Sequence, residues 1–290
     1  MTDERSQPTT TEAYPMSAMA TKNHTMNADD AVDDDHKDKK AQTGIDTRAV
    51  LQSAAAWASL FAGTTLIFRH AKWLRLHSGK RLPIEAASRV VGAAHAAWST
   101  AAAFSQCPEL VRIDAPQKYM LSCGRRPTLP HERKILERSM GYFVWDSIYL
   151  LLWERDPLFI VHHLSCLTNW GTCLAHGRGE RVMWACMGYG EISGPLLNLW
   201  WLAKKSQRPA LARVLSRLFT LVFLFFRLGV FPPFCLRYVQ SVLRGEMGRM
   251  VRSERLARLW AVVNVAAVLG GVVWSKSLIK GFLADVKRSH

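Results

Sequence analysis

Residues 158–175 read LFIVHHLSCLTNWGTCLA, an apolar run that carries two adjacent histidines, His162 and His163. Residues 182–202, VMWACMGYGEISGPLLNLWWL, form a second such run and carry Glu191. Roughly 17–25 apolar residues suffice for a helix to cross a bilayer. An ionisable group at the bilayer centre costs about 2.5–3.5 kcal/mol even on the gentler insertion scales, so it faces a protein interior or a polar cavity. The two runs together predict membrane helices that share a polar pocket.

Working outward, comparable runs occur at 49–68, 87–104, 139–153, 214–236 and 257–279. The predicted fold class is all-α: an integral membrane bundle of seven transmembrane helices around a central polar cavity. The count falls to six if the short third run, bounded by Arg138 and Glu154, does not cross. Glu154-Arg155-Asp156-Pro157 reads as a tight connection, with Asp156 as helix N-cap and Pro157 at the first helical position. Loop charge does not decide orientation, because basic loops alternate between the two sides.

Polar residues inside the runs fall at helical spacing, one stripe per helix. The stripes are Ser88, Gly92, His95 and Ser99; Ser139, Tyr142, Asp146 and Tyr149; His162, Cys166, Asn169 and Cys173; then Gly188, Glu191, Pro195 and Asn198. Thr220 and Arg227 mark the sixth run, and Asn264, Gly271 and Ser275 the last. Small residues of this kind also serve plain helix packing. Packing does not account for Asp146, His162, Glu191 and Arg227 together. Pro195 removes the hydrogen bond to the carbonyl of Glu191, so a kink is expected there. Phe231-Pro232-Pro233-Phe234 is expected to kink or end the sixth helix one turn after Arg227.

The mean hydropathy of −0.01 averages two unlike parts. Residues 1–47 carry net charge −5 and residues 48–290 carry +20, which together make the chain's +15. The expected organisation is a disordered acidic tail over 1–47, too polar to bury a core, and a membrane domain over 48–290. The tail lacks the apolar stretch of a signal peptide and the Arg-rich character of a transit peptide. Most Lys and Arg lie between the apolar runs, where loops meet anionic headgroups, so the partners expected are membrane lipids and no nucleic acid.

Six cysteines show no CxxC pair and no zinc-ligand spacing. No HxxxH, HxxHH or HExxH pattern occurs, and neighbouring histidines on a helix point about 100° apart, so no metal and no cofactor is expected. An imidazole within reach of a carboxylate suits general-base or nucleophilic work on an acyl group. It equally suits a structural hydrogen bond.

The segments Ser139-Met140-Gly141-Tyr142-Phe143-Val144-Trp145-Asp146, Ile160-Val161-His162-His163-Leu164 and Glu191-Ile192-Ser193-Gly194-Pro195-Leu196-Leu197-Asn198 resemble successive signatures of the TLC domain. Phe226-Arg227 followed by Phe231-Pro232-Pro233 resembles its sixth-helix pattern. The resemblance spans roughly residues 50–285. It implies a multipass membrane protein of lipid metabolism, in a family that includes the ceramide synthases. Those enzymes couple a fatty acyl-CoA to a sphingoid amine with a di-histidine and downstream acidic residues. His162 and His163 match the di-histidine. Where the synthases carry a His-Asp pair this chain has Gly190-Glu191, and where a second Asp follows it has Gly194. The departure argues against ceramide synthesis. It places the chain nearer the non-synthase, lipid-homeostasis branch.

The expected function is lipid homeostasis in an endomembrane, the endoplasmic reticulum foremost, through a lipid or acyl group held in an intramembrane pocket. The alternative is an acyl-CoA-dependent N-acyltransferase. A transporter would use the same polar centre, but the sequence shows no internal repeat and no ring of charges. Candidate catalytic residues are His162, His163, Glu191 and Asp146. Candidate lipid-contacting residues are Arg227, His95, Asn198, Asn264 and Tyr142. At least one imidazole should reach Glu191 or Asp146, and Arg227 should pair with one of those carboxylates or with a lipid anion.

Overall fold

The computed structural model describes residues 44–70, 82–111 and 127–289, and every regular element among them is helical. The expected acidic tail up to residue 43, the basic connections at 71–81 and 112–126, and His290 lie outside the described residues.

Helix α1 is Thr47–His70 and α2 is Leu82–Gln106, the latter followed by a 3-10 turn at Pro108–Val111. Helix α3, Pro130–Tyr149, runs on through a wider π-helical turn at Leu150–Glu154. Then come α4, Pro157–His176; α5, Glu180–Glu191; and α6, Gly194–Lys205. Helix α7, Pro209–Leu224, passes through a π-helical turn at Phe225–Val230 into α8, Phe231–Leu243. A short α9, Glu246–Met250, precedes the long α10, Glu254–Ser289.

The expected apolar runs are helical throughout, except that the fifth is interrupted at Ile192 and Ser193. Among the described residues three rods are long and apolar enough to cross a membrane: Thr47–His70, Pro209–Leu243 and Glu254–Ala284. They also keep much of their apolar surface exposed, including Leu66, Ile67, Leu218, Leu221, Val262 and Leu269. Of the remaining helices, α5 and α6 are only 12 residues long each, and the histidines and asparagine of α4 lower its hydropathy. Helix α5 buries Val182, Met183, Trp184, Ala185 and Met187 fully.

Local sequence explains most of the boundaries. Asp156 caps α4, its carboxylate accepting from the backbone N–H of Leu158 at 2.9 Å and of Phe159 at 3.4 Å, with Pro157 next. The α4–α5 connection needs glycine. Gly179 has φ +91°, and a Cβ there would lie 2.4 Å from the Trp260 ring. The kink expected at Pro195 is an interruption at Ile192 and Ser193, which keep right-handed helical dihedrals (φ −55° and −85°) but separate α5 from α6. The Pro232-Pro233 pair neither ends nor sharply breaks its rod. Instead the preceding turn widens to a π turn that contains Arg227, one of the ways a chain absorbs missing and clashing backbone bonds.

Several helices extend beyond their apolar runs, α3 farthest at its start: the third run begins at Ser139, after a basic loop, yet α3 begins nine residues earlier at Pro130. Glu132, Arg133 and Glu137 are buried in its first turns, where Arg133 and Glu137 pair at 3.0 Å. A charged stretch that finds its partners one turn away can be helical and buried.

Helices α2, α6, α7, α10, α4 and α3 touch in that circular order, closing from α3 back to α2. Helix α1 packs outside against α2 and α3, where a Cβ on Gly141 would fall 2.5 Å from the Ser53 Cβ.

Candidate functional site

His162 and His163 leave α4 in different directions, their ring planes at 83°. Each finds a different carboxylate on a different helix. His163, 5% exposed, places Nε2 at 2.8 Å from the Asp146 carboxylate on α3, and its Nδ1 lies 2.8 Å from the Phe159 carbonyl. A carbonyl can only accept, so Nδ1 donates to it. Nε2 then shares a proton with Asp146, and the ring has no idle nitrogen. The Nε2 of His162 stands 3.8 Å from the Glu191 carboxylate and 3.8 Å from the Cys166 sulfur. The first distance is too long for a hydrogen bond, so this imidazole remains available to a ligand. Phe143 stands edge-on to both rings.

Glu191 is the last residue of α5, directly before the break. The last carbonyls of a helix have no partner within it. Arg227, in the π turn, supplies one: its Nη2 donates to the Gly190 carbonyl at 2.8 Å. The expected ion pair between Arg227 and Glu191 or Asp146 does not form. Its guanidinium also lies over the Phe223 ring at 5.8 Å, and its buried Nε has no partner.

These groups border a cavity of about 280 Å³. Of the residues singled out from sequence, His162, His163, Glu191, Asp146, Arg227, Asn198 and Tyr142 all line it. His95 and Asn264 do not. His95 is fully buried behind Tyr142, stacked on that ring at 3.7 Å, with Nε2 3.1 Å from the Ser139 hydroxyl. Asn264 accepts from the Asn169 amide and from the Cys186 thiol, each at 3.4 Å, and so ties α10 to α4 and α5. Both make their contacts inside the protein, with His95 Nδ1 and Asn264 Nδ2 buried and without a hydrogen bond, and act on the cavity only through what they position.

The structure adds residues that sequence reasoning passed over. Arg89 and Glu154 form an ion pair at the cavity wall, and Arg89 also lies over the Trp201 ring at 5.5 Å. Lys204 covers Trp200, another wall residue, at 5.4 Å. Both members of the ion pair sit at the ends of apolar runs, where a charge reads as an ordinary flank. The available signal was that Arg89 is one turn from Gly92 in the polar stripe. Trp274 and Phe159, also on the wall, carried no polar mark at all.

Chemically the cavity offers an imidazole without a strong hydrogen bond, a carboxylate close to it, and a guanidinium whose buried Nε–H has no partner. A largely apolar wall surrounds them. Such a site can hold an acyl chain while engaging its polar end. Among the described residues no group of three or more His, Cys, Asp or Glu side chains could hold a metal ion.

Residues 86–280 match the family model of the TLC domain. The matched region begins in α2 and contains every cavity residue named above. No curated protein matches the chain.

Proposed function

The chain belongs to the TLC-domain family, and from that premise we propose that this membrane protein serves lipid homeostasis by holding a lipid or acyl group in its intramembrane cavity. One observation carries the reading. Two imidazoles, two carboxylates and a guanidinium converge from α3, α4, α5 and the π turn on a cavity whose other walls are largely apolar. A buried polar centre of this kind without a ligand is expensive, because charged groups removed from water need partners.

The reading takes the chain across the membrane seven times. The crossings are α1, α2, α3 with its π turn, α4, α5 with α6, α7 with α8, and α10. Helices that fall short of the apolar length would be tolerated because their polar stripes face inward. The endoplasmic reticulum is the location proposed.

The runner-up is an acyl-CoA-dependent N-acyltransferase. His162 favours it, as an imidazole with an uncommitted Nε2 beside Glu191. His163 is then a positioning residue, since both its nitrogens are engaged.

Purified protein analysed by lipid mass spectrometry separates these readings. The expected result is a co-purifying acyl lipid whose amount falls severalfold in the His162→Ala/His163→Ala double variant. Given long-chain acyl-CoA and a sphingoid base, wild type should form no ceramide above that variant. Ceramide formation lost in the double variant would promote the acyltransferase. Absence of any bound lipid would remove the proposed function.

A further inference from the structure

The protein is not solid behind His162. A second cavity, about 70 Å³, lies between α4 and α10, and His162, Arg227 and Trp274 border both. These three side chains form a shared partition. Trp274 is wedged there between Phe159 of α4 and Phe223 of α7, at ring distances of 5.3 and 6.2 Å.

The far side of the small cavity faces outward. Its α4 wall includes Leu158 and Val161, 43% and 57% exposed, on the apolar surface that a bilayer would cover. Its α10 wall is Ala266, Ala267, Gly270 and Gly271. A Cβ on Gly270 would meet no atom within 4 Å, whereas one on Gly271 would lie 3.7 Å from the Arg227 Cβ. The small residues thus leave a furrow in α10 that leads to the guanidinium.

Arg227 makes this more than a packing defect. It is 8% exposed, and Nη2 alone holds the Gly190 carbonyl while the buried Nε has no partner in the protein. A guanidinium presents its Nε and Nη donors as a planar fork, which fits a two-oxygen anion such as a carboxylate. A cavity of about 70 Å³ is only a few water-sized probes in extent.

We propose that His162, Arg227 and Trp274 frame a doorway from the bilayer into the main cavity, and that its occupant is a long-chain fatty acid. The chain lies along the Ala266–Gly270 furrow between α4 and α10, and the carboxylate sits on Arg227 beside His162. The proposal rests on the lipid-holding function above and names the ligand class and its route.

Full-length protein in nanodiscs, titrated with radiolabelled palmitate, tests it. Gly270→Leu should fill the furrow and weaken palmitate binding at least tenfold. Leucine is the better helix former, so no loss of fold is expected. Gly281→Leu, the same change on the same helix at another open position, should bind as wild type. Arg227→Gln should also lose at least tenfold. Hexadecanol, with the same chain but no carboxylate, should compete at least tenfold less well than palmitate. A palmitate analogue with a mid-chain diazirine should label wild-type peptides at 158–165 or 266–274, which requires no variant. Palmitate binding indifferent to Gly270→Leu, labelling confined to other helices, or equal competition by hexadecanol would overturn the doorway. A protein that retains a diacyl lipid but ignores palmitate overturns this inference alone. One that retains no lipid overturns the proposed function with it.

Discussion

Two groups of buried charges occupy this bundle, and they are built differently. At one end of α3, Glu132, Arg133 and Glu137 are buried together with Arg178 and Glu180 from the α4–α5 connection. Their partners are close at hand. Arg133 pairs with Glu137 at 3.0 Å and donates to the Leu174 carbonyl at 3.2 Å. Glu132 accepts from the Leu129 N–H at 2.8 Å, and Glu180 from the Thr128 hydroxyl at 3.3 Å. None of these five borders the main cavity. The second group, around His162, Glu191 and Arg227, holds a 3.8 Å imidazole–carboxylate separation and a guanidinium with an unused donor, and it lines that cavity. The first group's charges are engaged with one another and with nearby backbone, away from that cavity. The second faces a cavity that a ligand can fill, which is what separates a structural cluster from a site.

The largest effect should come from breaking the first group. Arg133→Met strands Glu137 in a buried position, and removal of one partner of a buried pair costs about 3–5 kcal/mol. Thermal unfolding in detergent should show a large drop in midpoint, while the lipid content of the folded fraction stays at the wild-type level. Loss of bound lipid at unchanged stability would erase the distinction between the two groups.

His163→Leu tests the one closed contact inside the second group. It leaves Asp146 without its 2.8 Å partner. The expected destabilisation is about 1–3 kcal/mol, the usual penalty for a buried group deprived of its hydrogen bond. It should be smaller than that of Arg133→Met in the same assay. A change of equal size would mean that Asp146 is as dry as Glu137.

The smallest stability effect is expected at Arg227. Its guanidinium satisfies one carbonyl and meets no carboxylate, and replacing a poorly compensated buried charge with an apolar side chain is often neutral. Arg227→Met should therefore shift stability by less than about 1 kcal/mol while the co-purifying lipid is lost. A shift near that of Arg133→Met would place Arg227 among the structural charges.

Much of this arrangement was legible in the chain. The polar stripes at helical spacing are buried as their periodicity implied, from Ser139 and Tyr142 on α3 to Asn169 and Cys173 on α4. Pro195 marked the α5–α6 break, because a missing N–H and a ring clash act locally. Asp156-Pro157 marked the start of α4 for the same local reason. Less was legible where several helices decide together. His95 and Asn264 lie on polar faces like those of His163 and Asn198, yet Ser139 and Tyr142 enclose one, and Asn169 and Cys186 the other. Arg89 and Glu154, sixty-five residues apart in sequence, read as flanking charges and meet only because α2 passes the end of α3.

The amino-acid sequence by itself determined the helical class, the inward faces and the points where helices start or break. Those follow from periodicity, burial cost and proline chemistry within a few turns of chain. Tertiary structure alone decided which carboxylate each histidine meets, that Arg227 spends one donor on Gly190 and keeps another, and that two cavities share a wall at Trp274. Those outcomes depend on distances of a few ångströms between helices far apart in sequence. A local pattern puts a side chain on a face but does not set what faces it.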